Sequence, residues 1–453
     1  MAGIARLFAV LVVGTAWALP LAGCSSDSED SSGPTLPSLT DLNPFGVVKT
    51  PLAGKRVAVL TTEDQINGHM EGATGFVAIP PPVQMAEWPT PGGNAGNAPG
   101  HLAFNGTMQT LWTSDAGVGS SSTAKLTASP IVHQGRVYVF DASSHVSAFS
   151  TSGGARAWSV KSSPDGENEA KAFGGGIAAG SGRIFAVTGF GTAVALDAGS
   201  GAKLWEKKLG APFHAAPTVA DGRLFATNTD GQVFCLATGD GSVLWTYHGV
   251  PQQAAALLTS ARPAVSGDAV IVPFSSGDIV ALKIDSGVPL WTDSLNGARA
   301  SASIASLSDP SSPVAEGGSV YAVSRSGRMI ASSEASGART WSMNLNGVET
   351  PLVAGDAIYV VDLTGRLVAL NRVNGEVRWA AKLPGEAKVW SGPVLAGGKL
   401  WLTSNKGGLV GVDPATGQSN AQRDLGAPVY IAPIVADGHM YVLTDHASLM
   451  ALN

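Results

Sequence analysis

The chain has 453 residues, of which 14% are charged, and its formal net charge at pH 7 is -6. Nucleic-acid binding requires a basic surface, and this composition does not supply one, so we expect no nucleic-acid partner. The length alone would suggest about three domains. Internal repeats across most of the chain instead predict a single shared architecture.

The N-terminus has the pattern of a secretory signal, with Arg6 before the apolar run from Leu7 to Leu21. The run ends in Leu21-Ala22-Gly23-Cys24, which resembles the bacterial lipobox, a signal whose cysteine is lipidated and starts the mature chain. An ordinary cleaved signal peptide is the alternative. We expect a signal peptide over residues 1–23 and lipidation at Cys24. Ser25, in place of Asp, then implies sorting to the periplasmic face of the outer membrane.

Two segments without repeats follow the signal. Residues 24–46 are predicted to be a flexible tether, because Ser25 to Pro44 is acidic, lacks Lys and Arg, and is too polar to bury a core. Residues 47–109 are expected to lie as an extended strap on the main body. Pro80-Pro81-Pro82 and the stretch from Pro89 to Gly100 are rich in residues that break regular structure.

One ten-residue motif, which we call the turn phrase, recurs along the rest of the chain. Its clearest copy is Leu196-Asp197-Ala198-Gly199-Ser200-Gly201-Ala202-Lys203-Leu204-Trp205. It reads as a strand end, a tight turn and a second strand that carries a tryptophan. Asp197 can hydrogen-bond the turn backbone, and Gly201 can adopt the positive φ that such a turn needs. A glycine four residues before a tryptophan occurs at Gly154, Gly201, Gly241, Gly287, Gly337 and Gly375. This recurrence indicates a repeat protein.

Each repeat from Ser129 onward contains four strand-like runs. The first run begins at a dipeptide whose second residue is proline, such as Thr350-Pro351, which we call a proline pair. The fourth run carries the tryptophan. The tryptophans from Trp158 to Trp379 lie about 40 to 50 residues apart, which is the length of a β-propeller blade.

The blade count predicts how the ring closes. Seven full repeats start near Ser129, Gly176, Ala216, Arg262, Ser312, Thr350 and Gly392. An eighth begins at Ala432-Pro433 and stops at Asn453 without its tryptophan strand, while Thr110 to Ser114 has the pattern of that missing strand. We therefore predict an all-β fold over residues 110–453. It is an eight-bladed β-propeller with four-stranded blades, closed by an N-terminal strand that pairs into the last blade.

The repeated tryptophans are expected to dock between neighbouring blades, where each can bury about 150–250 Å². The set is Trp112, Trp158, Trp205, Trp245, Trp291, Trp341 and Trp379. The seventh repeat has Ala421 at this position, so its seam lacks a tryptophan unless Trp390 or Trp401 fills it.

Motifs for catalysis are absent from the sequence. There is no Gly-x-Ser-x-Gly elbow, no phosphate loop and no His-Glu-x-x-His, and the eight histidines are scattered. We expect no catalytic residue, no metal site and no cofactor. Cys235 lies in the apolar run Val233-Phe234-Cys235-Leu236 and is interpreted as a small buried hydrophobe.

The turn phrase from Ala195 to Trp205 resembles the tryptophan-docking repeat of pyrroloquinoline-quinone propellers. Two families share it: the quinoprotein dehydrogenases and BamB, a lipoprotein of the outer-membrane β-barrel assembly machinery without enzymatic function. With the lipobox and eight blades, the chain resembles the BamB family from about Pro51 to Asn453. Quinoprotein dehydrogenases carry a vicinal cysteine pair, which is impossible here because Cys235 is the only cysteine besides Cys24.

The resemblance implies a non-enzymatic scaffold of the BAM complex. Such a protein binds the periplasmic domains of BamA, works with the other BAM subunits, and assists insertion of unfolded β-barrel proteins into the outer membrane. In the family, loops joining the middle blades contact BamA. The corresponding positions here are Leu257, Leu258, Arg262, Leu307 and Asp309. Leu258 stands where the family usually has an arginine, and Arg262 follows four residues later.

Two alternative functions remain open from the sequence. One is a periplasmic quinone-dependent enzyme like the dehydrogenases. The other is a propeller that binds a small ligand, such as a sugar or polymer, in its central channel.

Overall fold

The computed structural model describes residues 77–167, 174–249, 261–296 and 309–453. Within these ranges all regular structure is strand, and no helix is long and apolar enough to cross a membrane. The predicted signal peptide, Cys24, the tether and the strap up to residue 76 lie outside the described residues and stay predictions.

The strands form eight sheets, one for each predicted repeat. Strands β1 (His101–Leu102) and β2 (Thr110–Asp115) precede the repeats. Blade 1 contains β3 (Ile131–His133), β4 (Arg136–Phe140), β5 (His145–Ser150) and β6 (Arg156–Lys161), and blade 2 contains β7 (Gly175–Gly180), β8 (Arg183–Thr188), β9 (Thr192–Asp197) and β10 (Lys203–Lys208). Blade 3 contains β11 (Thr218–Ala220), β12 (Arg223–Thr227), β13 (Gln232–Ala237) and β14 (Val243–His248), and blade 4 contains β15 (Ala264–Ser266), β16 (Ala269–Pro273), β17 (Asp278–Lys283) and β18 (Pro289–Ser294).

Blades 5 to 8 continue the order. Blade 5 contains β19 (Val314–Glu316), β20 (Ser319–Val323), β21 (Met329–Ser333) and β22 (Arg339–Met343), and blade 6 contains β23 (Leu352–Ala354), β24 (Ala357–Val361), β25 (Arg366–Asn371) and β26 (Val377–Lys382). Blade 7 contains β27 (Trp390–Ala396), β28 (Lys399–Ser404), β29 (Gly408–Val412) and β30 (Ser419–Asp424), and blade 8 contains β31 (Ile434–Ala436), β32 (His439–Leu443) and β33 (Ser448–Leu452).

Burial within a blade follows from its position between two neighbours. All five residues of β24 are buried, because both faces of a middle strand are covered by adjacent blades. The fourth strands alternate instead, as in β6, where Trp158 and Val160 are partly buried and the residues between them are exposed. First strands of adjacent blades approach one another, for example β3 and β7, so they line the central channel and the fourth strands form the rim.

The ring closes through the N-terminal strand. β2 pairs antiparallel with β33, with Trp112 opposite Ala451 and Ser114 opposite Leu449, and thereby supplies the fourth strand of blade 8. This confirms the predicted all-β, eight-bladed propeller and its closure. Pairing with β2 covers the edge of β33 that the missing tryptophan strand would have left open.

The strap, here residues 77–109, hydrogen-bonds to the backbone of seven of the eight blades. Backbone amides of β3, β7, β15 and β19 donate to its carbonyls, for example Val265 to Ala95 at 2.8 Å and Ala315 to Gly96 at 2.9 Å. Amides in blades 6, 7 and 8 do the same, and β1 adds a parallel strand to β27. The strap therefore lies along the inner strands and ties blades together that are distant in sequence.

Candidate functional site

The seven predicted docking tryptophans lie between neighbouring blades. Each indole Nε1 donates to a carbonyl in the last turn of the next blade at 2.7 to 3.2 Å; the acceptors are Thr151, Ala198, Thr238, Ile284, Glu334, Arg372 and Pro414. Each ring also covers a turn glycine of that blade. Gly201, for instance, has φ +75°, and a Cβ there would lie 2.8 Å from the ring of Trp158. The glycine is thus required both by the turn and by the indole.

The seam beside Ala421 is filled differently. Trp401 of β28 is fully buried, and its Nε1 donates to the carbonyl of Ala396 in its own blade at 2.9 Å. Its ring packs edge-on against Phe104 of the strap, with centroids 5.7 Å apart, in a cluster that extends into blade 8. Trp401 and Phe104 together therefore take the place of the missing tryptophan. The contribution of Phe104 was not anticipated from the sequence.

Of the residues expected to bind a partner, Leu257, Leu258 and Leu307 lie outside the described residues. Asp309 is 9% exposed, and its Oδ2 lies 3.6 Å from Nε of Arg325. Burial raises the pKa of Asp309, and the nearby Arg325 opposes that rise. Asp309 is therefore held mostly within the protein, at the end of the segment that joins blades 4 and 5.

Arg262 lies at the central channel, where the strap holds its side chain. Its Nε donates to Oδ1 of Asn97 in the strap at 2.8 Å, and its backbone N–H donates to Oγ of Ser312 at 3.2 Å. Asn97 in turn donates to the carbonyl of Pro313 at 2.8 Å. The strap thus orients the guanidinium into the central channel, and the contact of Arg262 with a partner stays a prediction.

A cavity of about 230 Å³ occupies the central channel beneath the strap. Its walls come from the strap and from the residues that precede or begin the first strands of six blades. These include Trp88, Asn97, Arg262, Asp309, Glu349 and Tyr430. Gly92 lies so close to Arg262 that a Cβ on it would be 2.6 Å from Nη2.

Two side chains of opposite charge in the cavity wall, Arg262 and Glu349, come from blades 4 and 6. Enclosure by protein raises the pKa of Glu349 from 4.5 to about 7, against long hydrogen bonds of 3.4 Å from Gly392 N and Ser391 Oγ. The same loss of solvent lowers the pKa of Arg262 to about 10, and the Glu349 carboxylate opposes that shift. No ion pair within 4.0 Å joins the two among the described residues.

The other reactive groups offer little chemistry. Cys235 is completely buried in blade 3, and burial raises the pKa of its thiol to about 12, which suppresses the thiolate at neutral pH. Across the described ranges, no group of three or more His, Cys, Asp or Glu is arranged to hold a metal ion.

Sequence reasoning did not identify Glu349 or Asn97. A signal for Glu349 was present, since it precedes the proline pair Thr350-Pro351 much as Arg262 precedes Pro263, whereas small residues flank most of the other pairs. Asn97 has no comparable signal, because its role depends on a contact with Arg262, 165 residues further along the chain.

The rim has an apolar half and a polar half. Leu111, Leu204, Leu244 and Leu290 directly precede docking tryptophans of blades 8, 2, 3 and 4, and they are 46 to 49% exposed. Blade 1 between them carries the exposed Ala157 at this position. Blades 5 to 7 have polar residues there, namely Thr340, Arg378 and Asn420. We name the five apolar positions the apolar half-rim.

Known proteins resemble this chain in sequence and in fold. BamB of Salmonella typhimurium is 27% identical over 361 residues, which cover 76% of this chain and 89% of that protein. BamB of Legionella pneumophila is 26% identical over 207 residues, covering 46% of this chain and 53% of that protein, so this match spans about half of that relative.

Two solved structures share the fold. The crystal structure of BamB from Moraxella catarrhalis superposes with a TM-score of 0.65 at 20% identity, covering 76% of this chain and 99% of that one. A europium-containing methanol dehydrogenase gives 0.64 at 15% identity, with 79% and 89% covered. At these identities both likenesses show the fold alone.

The family assignment comes from a family model. The model described as outer membrane protein assembly factor BamB matches residues 142–381 and 364–453, which is more than half of the chain and spans blades 1 to 8. The chain therefore belongs to the BamB family.

Proposed function

We propose that this protein is a non-enzymatic scaffold lipoprotein of the outer-membrane protein assembly complex. The observation that carries the proposal is the family-model match from residue 142 to residue 453. In this proposal Cys24 is lipidated and anchors the chain at the periplasmic face of the outer membrane, and residues 24–46 form the tether. The principal partner is the periplasmic part of the barrel-forming subunit BamA, together with other subunits of the complex.

The proposed docking site lies at the segments that join blades 3, 4 and 5. It comprises Leu257, Leu258, Leu307 and Asp309, where an uncharged run from Ala254 to Thr259 supplies apolar contacts. Arg262 is not proposed as a direct contact, because its guanidinium faces the central cavity and is held by Asn97.

Unfolded β-barrel substrates are proposed to meet the propeller at its rim. The fourth strands β10, β14 and β18 each have one unpaired edge, and exposed apolar side chains lie on the same strands in the apolar half-rim. An extended segment with apolar side chains can pair with such an edge by main-chain hydrogen bonds. This arrangement supports transient presentation of substrate strands.

The docking site is tested by co-purification from detergent-solubilised membranes of the native host. The tagged wild-type chain should recover the barrel-forming subunit and other lipoproteins of the complex. The double variant Leu257→Asp/Leu258→Asp should lose this recovery, because two carboxylates would be buried against an apolar partner surface.

Val373→Asp is the matched control, since Val373 is 80% exposed on a turn of blade 6 and is not part of the segments that join blades 3, 4 and 5. It should recover the complex like the wild type. Normal recovery by the double variant would refute the assigned docking site, and failure of the wild-type chain to recover the barrel-forming subunit would refute the proposed function.

A further inference from the structure

We propose that the central cavity binds a small zwitterionic ligand, an amino acid, with its carboxylate on Arg262 and its ammonium group on Glu349. This site goes beyond the proposed scaffold function and does not depend on it. It uses the channel, whereas partner docking uses the segments between blades.

Arg262 presents hydrogen-bond donors to the cavity. Its Nε is satisfied by Asn97, but its two terminal nitrogens donate to no acceptor in the described parts of the chain. Arg262 is partly exposed and lines the cavity, so a charged fork is held at its wall without an anion in contact. A guanidinium with its terminal N–H groups free is suited to bidentate binding of a carboxylate.

Glu349 presents a carboxyl group with few partners to the same cavity. Its carboxyl accepts only two long hydrogen bonds from blade 7, and no cation lies within 4.0 Å among the described residues. An ammonium group entering the cavity would supply donors to the oxygens of Glu349.

A ligand that carries both charges satisfies the cavity better than a simple ion. Binding an anion alone would leave Glu349 without a cation, and binding a cation alone would leave Arg262 without an anion. Enclosed charges are costly unless they are paired and hydrogen-bonded. A zwitterion pairs both and leaves the net charge of the cavity unchanged.

The dimensions of the cavity indicate the ligand's size. Its volume of about 230 Å³ lies below the roughly 300–1,000 Å³ of pockets for drug-sized ligands. Trp88, Leu352 and Pro393 provide apolar walls beside the two charged groups. These features favour an amino acid with a compact apolar side chain. Tyr430, which is about half exposed, stands at the border of the cavity.

Three probes of nearly equal shape separate the two charge contacts. The full-length chain in detergent is titrated by calorimetry with L-leucine, with 4-methylpentanoate, which lacks the amino group, and with 3-methylbutylamine, which lacks the carboxylate. Leucine should bind, and each analogue should bind about tenfold or more weakly, the usual effect of losing a hydrogen bond to a charged group. Equal affinity for leucine and 4-methylpentanoate, or no binding of leucine, would overturn the proposal.

Variants assign the contacts to residues. Glu349→Gln should erase the preference for leucine over 4-methylpentanoate, while Arg262→Gln should weaken binding of both carboxylates. Arg223→Gln is the matched control, because Arg223 pairs with Asp285 at 2.5 Å on the outside of the protein, and its affinities should equal those of the wild type. An unchanged leucine preference in Glu349→Gln would overturn the site. Should Arg262→Gln fail to fold, the probe comparison on the wild type and Glu349→Gln still decides.

Discussion

Replacing Gly287 by Ala perturbs a single contact between an indole and a turn. Gly287 lies between β17 and β18 with φ +68°, and a Cβ there would fall 2.6 Å from Cε3 of Trp245 in blade 3. The left-handed backbone costs an alanine about 1–2 kcal/mol. Displacing the ring adds about 1–3 kcal/mol, the usual cost of overpacking. The upper limit for losing the whole docked indole is about 4–6 kcal/mol.

Gly222→Ala separates these two contributions. Gly222 has φ +71°, nearly the same as Gly287, but the nearest atom to its added Cβ is Oγ1 of Thr238 at 3.9 Å. Both variants pay the backbone cost, and only Gly287→Ala meets an indole. Calorimetric melting should therefore place Gly287→Ala about 1–6 °C below Gly222→Ala, since the overpacking cost is about 1–3 kcal/mol and 1 kcal/mol corresponds to a shift of about 1–2 °C in a protein of this size. Equal melting temperatures would refute the assignment of the indole as an interblade contact.

Two further predictions concern the ring and the cavity. Deleting residues 101–115 removes β1 and β2, so blade 7 should lose its added parallel strand and blade 8 its fourth strand, and calorimetry should show a lower melting temperature; an unchanged one would contradict the closure. The pKa of Glu349 is about 7 in the folded protein and 4.5 ordinarily, so ionising it lowers the free energy of unfolding as pH rises from 4.5 to 7. Above pH 7 this loss reaches about 3 kcal/mol. Glu349→Gln should therefore have a higher melting temperature than the wild type at pH 8 and the same melting temperature at pH 4.5. A difference in melting temperature that does not change with pH would contradict the burial of this carboxyl.

The ring could be predicted from the sequence because the residues that define each blade lie close together along the chain. The glycine and tryptophan of one turn phrase define a hairpin, and copies such as Gly201 with Trp205 and Gly287 with Trp291 repeat it. The missing fourth strand at Asn453 and the unmatched Trp112 then fix the closure. Each of these inferences compares one short stretch with another and requires no knowledge of the path between them.

The cavity could not be predicted in the same way. Arg262 and Glu349 belong to different blades, and they line the same cavity only because the ring brings first strands together at its centre. The strap has no periodicity, so neither the contact of Asn97 with Arg262 nor that of Phe104 with Trp401 is marked in the sequence. Only the position of each charge near a proline pair distinguishes Arg262 and Glu349 from their neighbours.

The central claim is that this chain is a component of the outer-membrane protein assembly complex. It is tested most directly by tagging the barrel-forming subunit in the native host, purifying it from solubilised membranes, and quantifying this chain by mass spectrometry. The proposed function predicts recovery near one copy per barrel-forming subunit, well above that of an unrelated outer-membrane lipoprotein. Recovery no higher than that of the unrelated lipoprotein would contradict the proposal.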